Sequence, residues 1–273
     1  MEWWQALLLG IVQGLTEFLP VSSSGHIAIG KEMLGIESSG DLMLEVVLHC
    51  ATVLATIVVF RKQIWDLLCQ LFRFKYNDGT DYILKICVSM IPVFVVGVFF
   101  KDAVTALFSS FIVVGIALMV TALLLFLSDS GLLAARRANC DTAKPEPRNG
   151  ISWWQAICIG IGQAVAVIPG LSRSGTTIST GLLCGVKRQD VAQFSFLMVL
   201  VPILGEAFLD LVGGQFSSSS IGVAPLLAGF ASAFVSGLFA CKAMIALVKR
   251  AKLKWFAAYC AVVGLGVIFY CCF

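Results

Sequence analysis

The stretch WWQALLLGIVQGLTEFLPVSSSGHI at residues 3–27 decides the fold, because it returns at residues 153–177 as WWQAICIGIGQAVAVIPGLSRSGTT. Set over each other, the two copies share ten identities in 25 positions, against roughly two expected from composition, and so constitute an internal repeat. Each copy opens as an apolar helical run and is then cut by proline, glycine and a polar cluster. About 30 Å of hydrocarbon takes roughly 20 helical residues. The apolar parts of the two copies, 5–19 and 153–168, are too short to span.

Outward from the repeat, six apolar runs qualify as spans, near 42–60, 83–100, 111–127, 192–212, 222–248 and 255–273. The whole chain of 273 residues is 59% hydrophobic and 13% charged, with a mean hydropathy of +0.95. That charge fraction is about half the value for soluble domains, which excludes an ordinary soluble enzyme. A net charge of +3, from 19 basic and 16 acidic residues, leaves no excess field for a nucleic-acid partner. The expected fold is an all-α polytopic membrane protein with six transmembrane helices and two re-entrant broken-helix segments in an inverted-topology repeat. Residues 1–127 form the first repeat, 128–150 a cytoplasmic linker carrying Arg136, Arg137, Pro145 and Pro147, and 151–273 the second repeat, all in one membrane domain.

Charge orients the spans. The loops at 61–82, 128–150, 187–188 and 249–254 hold 14 of the 19 Lys and Arg residues and are expected to face the cytoplasm. The loops around 31–41, 101–110 and 213–221 hold only Lys31 and Lys101. Each half is one broken segment followed by three spans, and an odd number of crossings turns the second half upside down. Inverted repeats built on discontinuous helices place a binding site near the midplane where the breaks meet. Irregular backbone at that depth persists only when buried in protein or lining a wet cavity.

Several features read as architecture. Trp3 and Trp4 are interfacial anchors, and the acidic start Met1–Gln5 lacks the basic region of a removable secretory signal. The ten cysteines contain no CxxC or metal-type spacing and read as small packing residues. Gly10 with Gly14 and Gly181 with Gly185 have the GxxxG spacing of helix contacts.

The chemistry is expected in the polar breaks, Ser22-Ser23-Ser24-Gly25-His26 and Gly170-Leu171-Ser172-Arg173-Ser174-Gly175. Glu17, His26 and Arg173 are ionisable residues in apolar context, each costing several kcal/mol unless paired or wetted. One reading makes Glu17 and Arg173 a buried ion pair that locks the halves together, but it leaves the serines without a purpose. In the other, the planar fork of Arg173, the neighbouring hydroxyls and the free N–H groups of a helix start converge on an anion, for which phosphate is the best match. Ser22, Ser24, Ser172, Ser174 and Thr177 are its candidate binding groups, although close helix packing accounts for any one of them singly.

Gln13 and Glu17 lie four apart on one helix face and are candidate ligands for a divalent cation, Mg²⁺ or Ca²⁺. Two oxygen ligands are too few, so substrate oxygens or water must complete the shell. His26 can act as nucleophile or as general acid and base. Alternatively Ser22, Ser23 or Ser24 is the nucleophile, activated by His26 or Glu17, or water attacks directly. Glu45 and His49, also four apart, either line the same cavity, relay protons or satisfy each other, and Glu206 and Asp210 are expected to be solvated near the outer end of their span.

Gln13-x-x-x-Glu17-Phe18-Leu19-Pro20-Val21-Ser22-Ser23-Ser24-Gly25-His26, together with Pro169-Gly170-Leu171-Ser172-Arg173-Ser174-Gly175-Thr176-Thr177, resembles the undecaprenyl-pyrophosphate phosphatase family of the bacitracin-resistance type. The resemblance extends along the chain, including EVVLHCATVLA at 45–55. It implies removal of the terminal phosphate of undecaprenyl pyrophosphate, a long-chain polyprenyl pyrophosphate, which regenerates the lipid carrier of cell-wall synthesis. It also implies a divalent cation, a place in the bacterial cell membrane and a site open to the extracytoplasmic side; the residues' own chemistry makes Glu17, Ser23, His26 and Arg173 the catalytic candidates. Two positions depart from the pattern: Gln13 stands where many members have glutamate, and His49 where glutamine is expected. The rival function is a secondary transporter or lipid flippase, since inverted repeats serve alternating access. A transporter needs a binding site but no combined histidine, glutamate, arginine and serine inventory.

Overall fold

A computed structural model describes residues 1–36, 42–108, 110–130, 148–212, 221–250 and 252–273, with backbone alone at 42, 101, 105, 108, 148, 206–212 and 248–250. The expected hinge residues Arg136, Arg137, Pro145 and Pro147, and the side chains of Glu206 and Asp210, lie outside the described residues. Regular structure among the described residues is entirely helical, without strands.

The repeat folds as two pairs of short helices, α1 (Trp3–Phe18) with α2 (Ser23–Met33) and, later in the chain, α8 (Trp153–Val165) with α9 (Arg173–Leu183). At 1.5 Å rise per residue α1 is about 24 Å long and α8 about 20 Å, less than the hydrocarbon thickness. The breaks have local causes. Pro20 and Pro169 cannot donate a backbone hydrogen bond, and each disfavours helical backbone at the residue before it. Leu19 is accordingly extended, at φ −73° and ψ 145°. Gly170 adopts φ +85°, and a Cβ there would stand 2.6 Å from Val114 Cα, so glycine is required on both counts. The chain then restarts on serine N-caps. Ser22 Oγ accepts from Gly25 N at 3.1 Å and Ser172 Oγ from Gly175 N at 3.0 Å.

The remaining helices are α3 (Leu42–Val59), α4 (Arg61–Leu71), α5 (Asp78–Phe99), α6 (Lys101–Phe108), α7 (Phe111–Asp129), α10 (Arg188–Val212), α11 (Val223–Arg250) and α12 (Lys254–Cys272). Five helical stretches are long and apolar enough to cross a membrane: Met43–Leu71, Asp78–Phe99, Phe111–Asp129, Val223–Leu247 and Lys254–Cys272. The chain is therefore a multi-pass membrane protein. The sixth expected run, 192–212, lies within α10, which carries Pro202.

Two segments expected as loops are in part helical, since 61–82 contains α4 and 101–110 contains α6. In α4, Arg61, Lys62, Asp66 and Gln70 alternate with Ile64, Leu67 and Leu71 at helical spacing. Such an amphipathic stripe escapes a count of apolar runs. Gly185 also departs from expectation. It sits at φ +88° with open space around its Cβ position, ending α9 rather than contacting a helix. Gly10 and Gly14 do make the close approach, with Cβ positions 2.4 Å from Gly229 O and 2.5 Å from Ala233 O of α11. None of the nine described cysteines is in a disulfide; Cys241 and Cys260 are buried, and Cys69, Cys87, Cys271 and Cys272 are exposed.

Packing crosses between the chain's two halves. Helix α1 lies on α11 and α8 on α5, α11 lies on α3 and α10 on α5, and α3 pairs with α10 and α7 with α12. This brings the breaks together. Gly170 N donates to Ser24 Oγ at 3.3 Å, and Ser174 Oγ donates to Leu19 O at 3.1 Å.

A buried ion pair secures one end of this arrangement. Lys85 Nζ and Asp81 Oδ2 are 2.5 Å apart and both side chains are 2% exposed. Tyr76 and Asn149 also donate to the Asp81 carboxylate, and Lys85 Nζ stands 5.8 Å from the Trp153 ring centroid. Removing one partner strands a buried charge. Asp81→Asn is therefore expected to destabilise the fold by about 3–5 kcal/mol, whereas an apolar replacement of both residues costs far less; thermal unfolding in detergent measures the difference.

Candidate active site

Glu17 ends α1 one residue before Phe18, on the face that carries Gln13 one turn earlier. Its side chain is 8% exposed, so the carboxylate must be satisfied within the protein. Gln13 Nε2 donates to Glu17 Oε2 at 2.9 Å and Ser23 Oγ donates to the same oxygen at 2.6 Å. His49 Nε2 on α3 stands 3.9 Å from it. No hydrogen bond from a described residue reaches Oε1. Glu17, Arg173 and Ser174 line one narrow cavity together with Thr52 and Thr56 of α3 and an apolar wall that includes Phe18, Phe196 and Leu200.

Arg173 is the first residue of α9, as Ser23 is of α2, and the two are equivalent positions of the repeat. Two helix N-termini thus meet at the break, each favouring negative charge. Glu17 and Arg173 are not joined as an ion pair, and the guanidinium has no hydrogen-bond partner among the described residues. The locking-pair reading is thereby replaced by a free cation on the wall of a cavity shared with a carboxylate.

The other sequence candidates separate by role. Ser22 and Ser172 are N-caps, and Ser24 braces Gly170 across the break. Ser174 couples α9 to Leu19 and also lines the cavity. Thr177 is fully buried, its hydroxyl bonded to Arg173 O at 2.9 Å and paired with Ser195 Oγ at 2.5 Å. It holds the first turn of α9. His26 does not line the cavity with Glu17. Its Nδ1 lies 2.7 Å from Ser22 O and its Nε2 2.8 Å from Tyr259 Oη, with the two rings stacked at 5.6 Å between centroids.

Glu45 and His49 do not satisfy one another through their side chains. His49 Nδ1 meets the backbone Glu45 O at 2.8 Å, while the Glu45 carboxylate pairs with Lys31. Neither residue lines the cavity with Glu17, and His49 alone approaches it, with Nε2 at 3.9 Å from Glu17 Oε2. Tyr259 and the α3 threonines were not singled out in the sequence. Thr52 and Thr56 lie on one face one turn apart, three and seven residues after His49, which is the signal that would have found them.

Among the described residues no three His, Cys, Asp or Glu side chains converge to hold a metal. A hard cation beside Glu17 would have Oε1, the Gln13 amide oxygen and the Ser23 hydroxyl to draw on. The balance would come from phosphate oxygens and water, which is how Mg²⁺ is usually held by one or two carboxylates. The donor set fits a cation that arrives with a phosphorylated substrate.

Fold and site together define a multi-pass helical membrane protein whose breaks enclose a carboxylate and a free guanidinium. The chain belongs to the family described as Bacitracin resistance protein BacA, which matches residues 6–266. It is 50% identical over 272 residues to an undecaprenyl-diphosphatase of Bacteroides fragilis and 51% identical over 272 residues to one of Parabacteroides distasonis, covering 98% of each chain in both comparisons. A more distant undecaprenyl-diphosphatase, from Methanococcus vannielii, is 38% identical over 264 residues, with 97% of this chain and 98% of that one aligned.

Proposed function

We propose that this chain is an integral-membrane undecaprenyl-diphosphatase, hydrolysing undecaprenyl pyrophosphate to undecaprenyl phosphate and phosphate, and so recycling the cell-wall lipid carrier and conferring bacitracin resistance. Full-length similarity to undecaprenyl-diphosphatases at about half identity supports the activity. The single observation that carries the chemistry is the cavity lined by both Glu17 and Arg173.

In this reading the terminal phosphoryl group enters between the N-termini of α2 and α9. The Arg173 fork holds two of its oxygens, and the start of α9 with Ser174 adds dipole and hydroxyl. Ser23 Oγ, already donating to Glu17, gives up its proton to that carboxylate and attacks phosphorus; the bridging P–O bond breaks and undecaprenyl phosphate departs. Glu17 passes that proton to the departing phosphate oxygen and is a carboxylate again; it then takes a proton from a water molecule that attacks phosphorus, the Ser23 Oγ–P bond breaks, and Oγ recovers the proton from Glu17 as phosphate leaves. Hydrolysis of this kind depends mostly on positioning and charge neutralisation. A Mg²⁺ or Ca²⁺ ion held by Glu17 and Gln13 would supply further neutralisation of the diphosphate. His26, fastened to Ser22 O and Tyr259, orients the serine run.

The membrane arrangement proposed with it has six spans, two re-entrant helix pairs and inverted halves, 1–127 and 151–273, joined by a cytoplasmic linker. Packing that exchanges partners between halves supports this, as does the concentration of basic residues in alternate loops. Threading by that charge bias puts the first break on the extracytoplasmic side of the cell membrane.

The test is phosphate release from undecaprenyl pyrophosphate in detergent by the wild type and by Glu17→Ala, His26→Ala and Arg173→Ala, with and without a chelator. Wild-type turnover that stops on chelation and returns with Mg²⁺ or Ca²⁺ is expected; absence of any release would favour the transporter reading. Trapping the phosphoryl enzyme identifies the nucleophile. An acid-stable ester lost in Ser23→Ala supports Ser23, an acid-labile adduct moves the role to His26, and no adduct indicates direct attack by water.

A further inference from the structure

A second cavity, of about 530 Å³, opens where the α3–α4 junction meets the start of α10 and the later part of α11. Its lining includes Phe60, Arg61, Lys62, Gln189, Lys242 and Ile245, with three cations and no carboxylate among the described residues. We propose that this cavity is a binding site for a phosphate-class anion, the head group of an anionic lipid or free phosphate, distinct from the Glu17–Arg173 site.

Lys242 carries the argument. It lies within the apolar span Val223–Leu247, eight residues and therefore about 12 Å before the end of α11. An ionisable residue inside a span ordinarily faces a partner or a water-filled cavity. Lys242 has no carboxylate or hydrogen-bond partner among the described residues, and neither has Lys62. Arg61 donates only to Val58 O, at 3.2 Å. Three cations around one volume repel one another unless an anion sits among them. Glutamine donors from α4 and α10 complete the polar half of the lining, while Val59, Phe60 and Ile245 supply an apolar wall of the kind that receives the first carbons below a head group.

The surroundings suit a cavity reached from the edge of the bilayer. Trp65 and Phe72, on and just after α4, are both 67% exposed, as interfacial aromatics are. The volume also falls in the range of small-ligand sites. Helices α3 and α10 line both cavities, with Phe60 and Phe196 between them at 6.1 Å centroid separation. The two anion sites are thus separate chambers along one helical groove.

The test uses the full chain in phosphatidylcholine nanodiscs. Phosphatidylglycerol retention is counted by native mass spectrometry for the wild type, for Lys62→Gln/Lys242→Gln, for Lys62→Arg/Lys242→Arg, and for the surface control Lys252→Gln/Lys254→Gln. The expected result is saturable binding that falls about thirtyfold in the first double variant and is retained in the arginine variant and the control. Phosphatase turnover should stay within about twofold throughout, since neither lysine touches the Glu17 site. Binding that 10 mM inorganic phosphate displaces identifies the occupant as free phosphate, and binding that resists it as the lipid head group. If neither anion binds, or if both glutamine double variants weaken binding equally, the site is overturned in favour of diffuse surface attraction.

Discussion

Arg173→Lys is expected to lower kcat for undecaprenyl pyrophosphate hydrolysis by about 10²–10³, with a smaller change in KM. Lysine keeps the positive charge, so an ion-pair function would survive the exchange. What it loses is the planar fork that meets two phosphoryl oxygens at once, a geometry that matters most when charge spreads over those oxygens in the transition state. The structure makes this a clean comparison, because Arg173 lines the cavity with Glu17 and forms no hydrogen bond or ion pair with it or with any other described residue. Steady-state phosphate release reads the result. Activity within a few-fold of the wild type would remove the clamp from the mechanism.

Glu17→Gln is the second large effect, a loss of about 10²–10⁴ in turnover. The substitution preserves shape, so Gln13 and Ser23 can still bond to the amide oxygen. It removes the base for Ser23 and an anionic oxygen that a cation would use. The two roles separate on titration with Mg²⁺ or Ca²⁺. If Glu17 acts as a base, saturating cation leaves the defect in place, and no phosphoserine accumulates. If it serves only to hold the cation, high concentrations restore activity. Full activity at limiting cation would contradict both roles.

The repeat and its breaks were legible because their causes are local. Pro20, Pro169, Gly170 and the capping serines act on neighbouring backbone, and α2 and α9 run over equivalent positions of the two copies. The breaks also revealed that the site is shared. Glu17 has Val167 as its counterpart and Arg173 has Ser23, so one half supplies the carboxylate and the other the guanidinium. Less legible were contacts made by tertiary packing alone. His26 meets Tyr259 across 233 positions, and nothing in the spacing of either residue announces it. Lys85 and Asp81 were not singled out in the sequence, because only burial makes them a core pair. Thr177 carried the right hydroxyl in the right motif, yet packing against Ser195 turned it inward. Helix α4 was hidden because its apolar residues form a stripe rather than a run.

The central claim is that a lipid pyrophosphate is cut between Glu17 and Arg173. An experimental structure of the wild-type protein with a methylene-bridged, non-hydrolysable polyprenyl bisphosphonate tests it most directly. The terminal phosphonate should lie about 3 Å from both terminal nitrogens of Arg173, at ordinary hydrogen-bond distance, with Ser23 Oγ in line behind its phosphorus and the prenyl chain leading out to the bilayer. A bisphosphonate bound elsewhere, with Arg173 and Ser23 untouched, would contradict it.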